Sequence, residues 1–114
     1  MSDCLFCRIV AGEVPADVVA QTDAALAFRD INPQAPTHVL VVPKEHSDNA
    51  AALARQDGEL LAEVFRLAAS VAEDEGLADA GYRLVTNTGD AAGQTVHHLH
   101  VHVLGGRSLG WPPG

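Results

Sequence analysis

Four of the chain's six histidines fall in T-V-H-H-L-H-V-H-V-L, residues 95–104. Successive side chains of a β-strand point to opposite faces, so His98, His100 and His102 would share one face and Leu99, Val101 and Val103 the other. Three imidazoles in a row, roughly 6.5–7 Å apart along the strand, could surround one small anion or ion. Such a row suits a metal centre, a nucleophile with acid/base support, or a proton relay. An imidazole on a half-buried face must find partners or bear a desolvation cost, so a shared face of three argues for a site. His97, on the opposite face at the strand's start, is expected to have no role.

Other residues of the same chemical kind surround this run in the sequence. His38 stands at the entrance of T-H-V-L-V-V-P. The loop G-D-A-A-G-Q-T, residues 89–95, carries two glycines that permit close backbone approach to a ligand, and its N–H groups with the Gln94 and Thr95 side chains could hold phosphate oxygens. Asp30, before Asn-Pro, is either a turn residue or a carboxylate for a ribose diol. Cys4 and Cys7 are the only cysteines, a single C-x-x-C pair, which in a reducing compartment points to a metal or redox site more than to a structural disulfide.

The elements that must position these groups can be read from periodicity and turn signals. A short helix is expected over Arg8–Ala11, stopped by Gly12, then extended segments over Val18–Gln21 and Ala25–Phe28 separated by a turn at Thr22-Asp23. Thr37–Pro43 is β-branched and bounded by prolines, hence a strand with a buried centre. Between Asp57 and Glu75, Leu60, Leu61, Val64, Leu67, Ala68, Val71 and Ala72 recur at steps of three and four, giving an amphipathic helix with Asp57 as N-cap. Strands are expected over Tyr82–Thr88 and His97–Leu104. That order predicts an α+β fold on an antiparallel sheet, formed as one domain over residues 1–114.

The totals set limits. With 47% apolar and 19% charged residues the chain has a globular profile. A formal charge of −8, with only seven Lys and Arg in all, argues against nucleic acid as a partner. No leader-like pattern opens the sequence and no apolar run is long enough to span a bilayer, so the expected setting is cytoplasmic with no membrane partner.

H98-L-H100-V-H102-V-L resembles the His-φ-His-φ-His-φ-φ signature of the histidine triad superfamily. D30-I-N-P-Q-A-P-T-H38-V-L-V-V-P-K-E-H46, N-T-G-D-A-A-G-Q-T and L-G-G-R-S-L-G-W-P-P-G resemble its histidine triad nucleotide-binding branch, so the likeness spans nearly the whole chain. It implies a five-stranded antiparallel sheet with one long and one short helix, sheets joined across a homodimer, and hydrolysis or transfer at a purine nucleoside 5′-phosphate, with phosphoramidates as typical substrates. Carried onto matching positions, it makes His100 the nucleophile that forms a nucleotidyl-histidine intermediate, supported by His38, His98 and His102. Asn87, Gln94, Thr95 and His102 would contact phosphate, Asp30 the ribose, Ile31 and Phe28 the base, and Trp111 would reach the partner's site.

The same resemblance, for members that carry the cysteines, makes Cys4, Cys7, His46 and His98 a structural zinc site, with no catalytic cofactor. His98 cannot serve zinc and shuttle protons together. Thr95 stands where the family commonly has Ser, and His97 where an aromatic is usual. Two other readings stay open: a nucleotide-binding regulatory or scaffold module with little turnover, and a metallohydrolase in which His98, His100 and His102 hold a catalytic ion.

Overall fold

The computed structural model describes residues 3–114. Five strands form one antiparallel sheet: β1 (Val18–Gln21), β2 (Ala25–Arg29), β3 (Thr37–Pro43), β4 (Tyr82–Val85) and β5 (Val101–Gly105), in the spatial order β1-β2-β3-β5-β4. Three helices accompany them, α1 (Leu5–Val10), α2 (Ala50–Gln56) and α3 (Gly58–Asp74), with a single 3₁₀ turn at Asp90–Ala92. The fold is the expected α+β arrangement of helices on a five-stranded antiparallel sheet. Among the described residues, no helix is long and apolar enough to cross a membrane.

Strand alternation sorts the side chains onto two faces. Val39 and Val41 of β3, Val101 and Val103 of β5, and Ala25 and Ala27 of β2 are fully buried under α3, against Val64, Leu67, Ala68, Val71 and Ala72. The α3 positions are those that the three-and-four periodicity picks out. Each fully buried Val contributes roughly 1.5–3 kcal/mol relative to exposure. Asp57 caps α3 by accepting from the Leu60 N–H at 3.1 Å. The other face packs Leu26, Phe28, Leu40 and Val42 against Phe6 of α1.

Four features differ from expectation by more than one residue. Helix α1 begins at Leu5 rather than Arg8, because Cys4 serves as its N-cap, its Sγ accepting from the Cys7 N–H. Helix α2 is not anticipated by periodicity at all. It is an alanine run with one buried apolar residue, Leu53, and its start is marked only by Asn49, whose side chain accepts from the Ala52 N–H at 2.9 Å. Strand β4 ends at Val85 instead of Thr88.

The fourth difference bears on the site: β5 starts at Val101, not His97. The β3–β5 ladder stops at the Val41–Val101 pair, and residues 97–100 leave it. That segment is held in other ways. The Leu99 N–H donates to the Ser47 carbonyl at 2.6 Å, the Leu99 side chain packs with Leu53 and Leu60, and the His98 ring reaches the carbonyl of Pro43 at the end of β3. The facial sorting still holds, since Leu99, Val101 and Val103 pack toward the α2–α3 side while the rings of His98 and His100 meet Phe6.

Candidate active site

The β3–β5 register pairs His38 with Leu104 and Leu40 with His102, which makes His38 and His102 diagonal neighbours on the α1 face of the sheet. Long side chains reach one another across such a diagonal. Here the His38 Nε2 to His102 Nδ1 distance is 2.8 Å. Just beyond β2, Asp30 lies opposite His38, its N–H donating to the His38 carbonyl and its Oδ2 3.4 Å from His38 Nε2.

Obligate donors and acceptors around the rings assign every tautomer in this group. The Gln34 backbone N–H, which can only donate, lies 3.0 Å from His38 Nδ1, so the neutral ring carries its proton on Nε2. That proton is directed at His102 Nδ1, which places the His102 proton on Nε2. His102 Nε2 is buried and has no hydrogen-bond partner among the described residues. His100 Nδ1 faces the His98 carbonyl at 2.8 Å and must donate, leaving a lone pair on Nε2. Thr86 donates to the His100 carbonyl at 3.0 Å and fixes the backbone there. The two rings stand with centroids 5.1 Å apart, so an N–H donor and a nitrogen lone pair sit side by side.

Both rings border a cavity of about 310 Å³ whose walls include Phe6, Phe28, Asp30, Ile31, Leu40 and Thr95. It is the mostly apolar, partly enclosed kind of pocket that takes a flat ring. Of the residues singled out in the sequence, Asp30, Ile31, Phe28, Thr95, His100 and His102 come together here. A second cavity, of about 370 Å³, is lined by His38, Asn87 and His102, so His102 borders both cavities, with Asn87 in one and Thr95 in the other.

Three residues are placed differently. Gln94 is 4% exposed, and its amide is spent inside the fold: Oε1 accepts from the Gly89 N–H, and Nε2 donates to the carbonyls of Asp48 and Val96. It staples the 89–95 loop rather than facing a phosphate. Gly93 closes that loop at φ +88°, a left-handed conformation that favours glycine. Trp111 is 83% exposed and lines neither cavity. His98 is fully buried and turned away from the cavity, with both nitrogens engaged, so it has no atom left to touch a substrate. His97 is exposed and lines neither cavity.

His98 belongs to a second cluster. Its Nε2 donates to the Pro43 carbonyl at 2.9 Å, which leaves Nδ1 as a lone pair 3.3 Å from Cys4 Sγ and 3.5 Å from Cys7 Sγ. His46 repeats the arrangement, with Nε2 on Asp48 Oδ1 at 3.1 Å and Nδ1 3.3 Å from Cys7 Sγ. The four donor atoms lie within 4.8 Å of one another. Sulfur and nitrogen ligands on a tetrahedral zinc ion would be about 3.5–3.8 Å apart, and ligating histidines ordinarily give their other N–H to a carbonyl or carboxylate, as both do here. The residues fit that metal.

Asp30, His38 and His102 also converge within 4.8 Å, but His38 must keep its Nε2 proton while Nδ1 accepts from Gln34, so that trio is a hydrogen-bond chain. Among the described residues, His98 converges with Cys4, Cys7 and His46 and His102 with Asp30 and His38, and the three triad histidines do not form a group of their own, which removes the geometric basis of a three-histidine catalytic metal.

Several participants carry no signal in the sequence. Phe6 packs edge-on to the His100 ring at 5.0 Å from 94 residues away, and the Gln34 N–H and the Pro43 carbonyl are backbone groups, invisible in residue type.

The HIT domain family model matches residues 11–109. This chain belongs to the HIT family. Among its relatives, an uncharacterized HIT-like protein of Synechococcus elongatus is 50% identical over 98% of this chain and 97% of that protein. A 14 kDa zinc-binding protein of Zea mays is 47% identical over 99% of this chain and 89% of that protein. The crystal structure of a HIT family hydrolase from Legionella pneumophila superposes with a TM-score of 0.94 at 51% identity, covering 98% of this chain and all of that one. The neighbours place this HIT protein among hydrolase-type folds.

Electrostatics keep the chain of rings neutral. Burial, reinforced by the charges that His100 and His38 would carry, pushes His102 down to about 4, against a smaller opposing pull from Asp30. Burial also lowers His38, again opposed by Asp30. A depressed folded-state value means that between about pH 6.5 and 4 the unfolded chain binds protons the folded chain refuses, so stability is lost as pH falls through that window. Urea unfolding across the window should show that decline, and His102→Gln should make it shallower. An unchanged slope in the variant would contradict the assignment of His102 as a buried neutral ring.

Proposed function

We propose that this HIT protein hydrolyses nucleoside 5′-phosphoramidates, or transfers their nucleotidyl group, through a covalent intermediate on His100. The observation that carries this reading is the polarity of the paired rings lining one cavity: His100 has its lone pair on Nε2, and the buried Nε2–H of His102 has no partner among the described residues. A nucleophile needs the first and a developing phosphoryl charge needs the second.

The His100 Nε2 lone pair attacks the α-phosphorus. The P–N bond breaks with its electron pair on the leaving nitrogen, which takes up a proton from solvent and departs as the amine. Water then attacks the same phosphorus and gives up a proton to solvent, the P–Nε2 bond returns its pair to His100, and a nucleoside 5′-monophosphate is released. His102 Nε2–H supplies a donor to a non-bridging oxygen, with Thr95 at the cavity wall and Asn87 across His102 as further phosphate contacts. Phe28 and Ile31 flank the base, purine being the class expected, and the Asp30 carboxylate is available to the ribose hydroxyls. Since Ile31 is fully exposed, the base would cover apolar surface that the free protein leaves to solvent.

Zinc is proposed for Cys4, Cys7, His46 and His98, as a closed structural site without an open position for catalysis. Its contribution would be to tie α1, which Cys4 caps, to the loop after β3 and to the His98–His100 segment, thereby seating Phe6 on the His100 ring. A homodimer is proposed through β4, which pairs with β5 on one side only and leaves its outer row of N–H and C=O groups for a second copy.

Three measurements check this reading. His100→Ala should lower turnover of adenosine 5′-phosphoramidate by about 1,000-fold or more; a rate near wild type would refute the nucleophile, and strong AMP binding without wild-type turnover would favour a binding module instead. Elemental analysis should find about one zinc per chain, lost in Cys7→Ser. Full zinc content in that variant would contradict the site. Light scattering should give twice the 11.9 kDa chain mass. A monomer at that measurement would remove the β4 dimer.

A further inference from the structure

The segment that leaves β5, Gly106-Arg107, has no part in the chemistry above, yet it touches the loop that sets the His38 tautomer. We infer that Arg107 is a positioning residue that fixes the direction of the His38–His102 hydrogen-bond chain by holding Gln34; the inference rests on the proposed hydrolase reading.

The loop between β2 and β3 has little burial to hold it. Residues 31–34 and Pro36 are exposed, and only Ala35 is buried. Its place therefore depends on polar contacts: the Asn32 N–H on Asp30 Oδ1 at 2.8 Å, the Gln34 Nε2 on the Asn32 carbonyl at 3.0 Å, and the Arg107 guanidinium, which donates from Nε at 3.3 Å and Nη2 at 3.0 Å to the Gln34 carbonyl. Arg107 Nη1 is in turn anchored on the Ser108 carbonyl at 2.9 Å. Gly106 brings the segment close enough. It lies at φ +89°, and a Cβ there would come within 2.9 Å of Pro36 Cβ, so the turn lies flat against this loop only with glycine.

The consequence travels along named atoms. Arg107 fixes the Gln34 residue, whose N–H meets His38 Nδ1 at 3.0 Å. If that donor drifts away, only the Asp30 carboxylate, 3.4 Å from His38 Nε2, still favours a proton there, and the His38 tautomer is no longer fixed from both sides. In the other neutral tautomer the proton sits on Nδ1, Nε2 becomes a lone pair, and His102 must donate from Nδ1 to satisfy it. His102 Nε2, at the cavity's edge, then becomes a second lone pair, which repels a phosphate oxygen instead of binding it. Each ring keeps one proton throughout, so the overall charge is unchanged and only the polarity of the chain reverses. A planar fork on one carbonyl is a geometry that Arg provides and Lys does not.

The test compares wild type, Arg107→Gln, Arg107→Lys and, as an unrelated surface control, Arg66→Gln, all as full chains. Turnover of adenosine 5′-phosphoramidate, long-range proton–nitrogen NMR correlations of the imidazoles and thermal melting are read on each. Arg107→Gln should lower kcat roughly 10-fold with KM within about 2-fold, since the misplaced donor matters most to the developing charge. The His38 Nδ1 signal should move from its lone-pair position toward a tautomer mixture, Arg107→Lys should recover part of both, and Arg66→Gln should match wild type. An unchanged His38 tautomer in Arg107→Gln overturns the inference, whether kcat holds or falls together with melting temperature. If wild type itself fails to turn over the phosphoramidate, the hydrolase reading fails, while the NMR comparison still decides whether Arg107 orients the chain.

Discussion

The 2.8 Å hydrogen bond between His38 and His102 is the contact on which the rest of the site depends. It spans a diagonal between two antiparallel strands, so it exists only in the register that pairs Leu40 with His102. A slip of one residue would turn His38 and His102 to the opposite face, where Val39, Val41, Val101 and Val103 now lie fully buried under α3. The apolar core thus enforces the geometry of the imidazoles. The burial of the valines sets the register, and the register sets which nitrogen meets which.

Direction is the second constraint. A neutral imidazole offers one donor and one acceptor, so a row of them has a polarity that its ends decide. One end is the Gln34 N–H, a group that cannot accept. The other is His102 Nε2–H, buried at the cavity's edge without a partner among the described residues. His100 is set independently by the carbonyl of His98, a group that cannot donate. Two backbone atoms therefore make adjacent rings present opposite chemistry. Burial keeps His102 and His38 uncharged near neutral pH, which preserves this difference.

Much of this was legible in the residues. The three-and-four spacing of Leu60, Val64, Leu67 and Val71 gave α3, and the alternation from His98 to Val103 sorted rings from aliphatics correctly. The histidine run did not reveal its own division of labour. His98 looks equivalent to His100 and His102 in sequence, but the β5 ladder ends at Val101, and the segment beyond it bends His98 to Cys4 and Cys7. Whether a strand continues depends on its partner, and here Pro43 closes β3. Gln94 looked like a phosphate donor by type and loop position, yet its amide satisfies three backbone groups first. Helix α2 has a single buried apolar residue and so leaves no periodic trace.

The most direct measurement of the central claim is the configuration at phosphorus after hydrolysis of a nucleoside 5′-phosphoramidate made chiral at that atom by isotopic or sulfur labelling. Two successive in-line displacements, first by His100 and then by water, each invert the centre. Net retention is the expected result. Net inversion would mean that water attacks the substrate directly, and would contradict a covalent intermediate on His100.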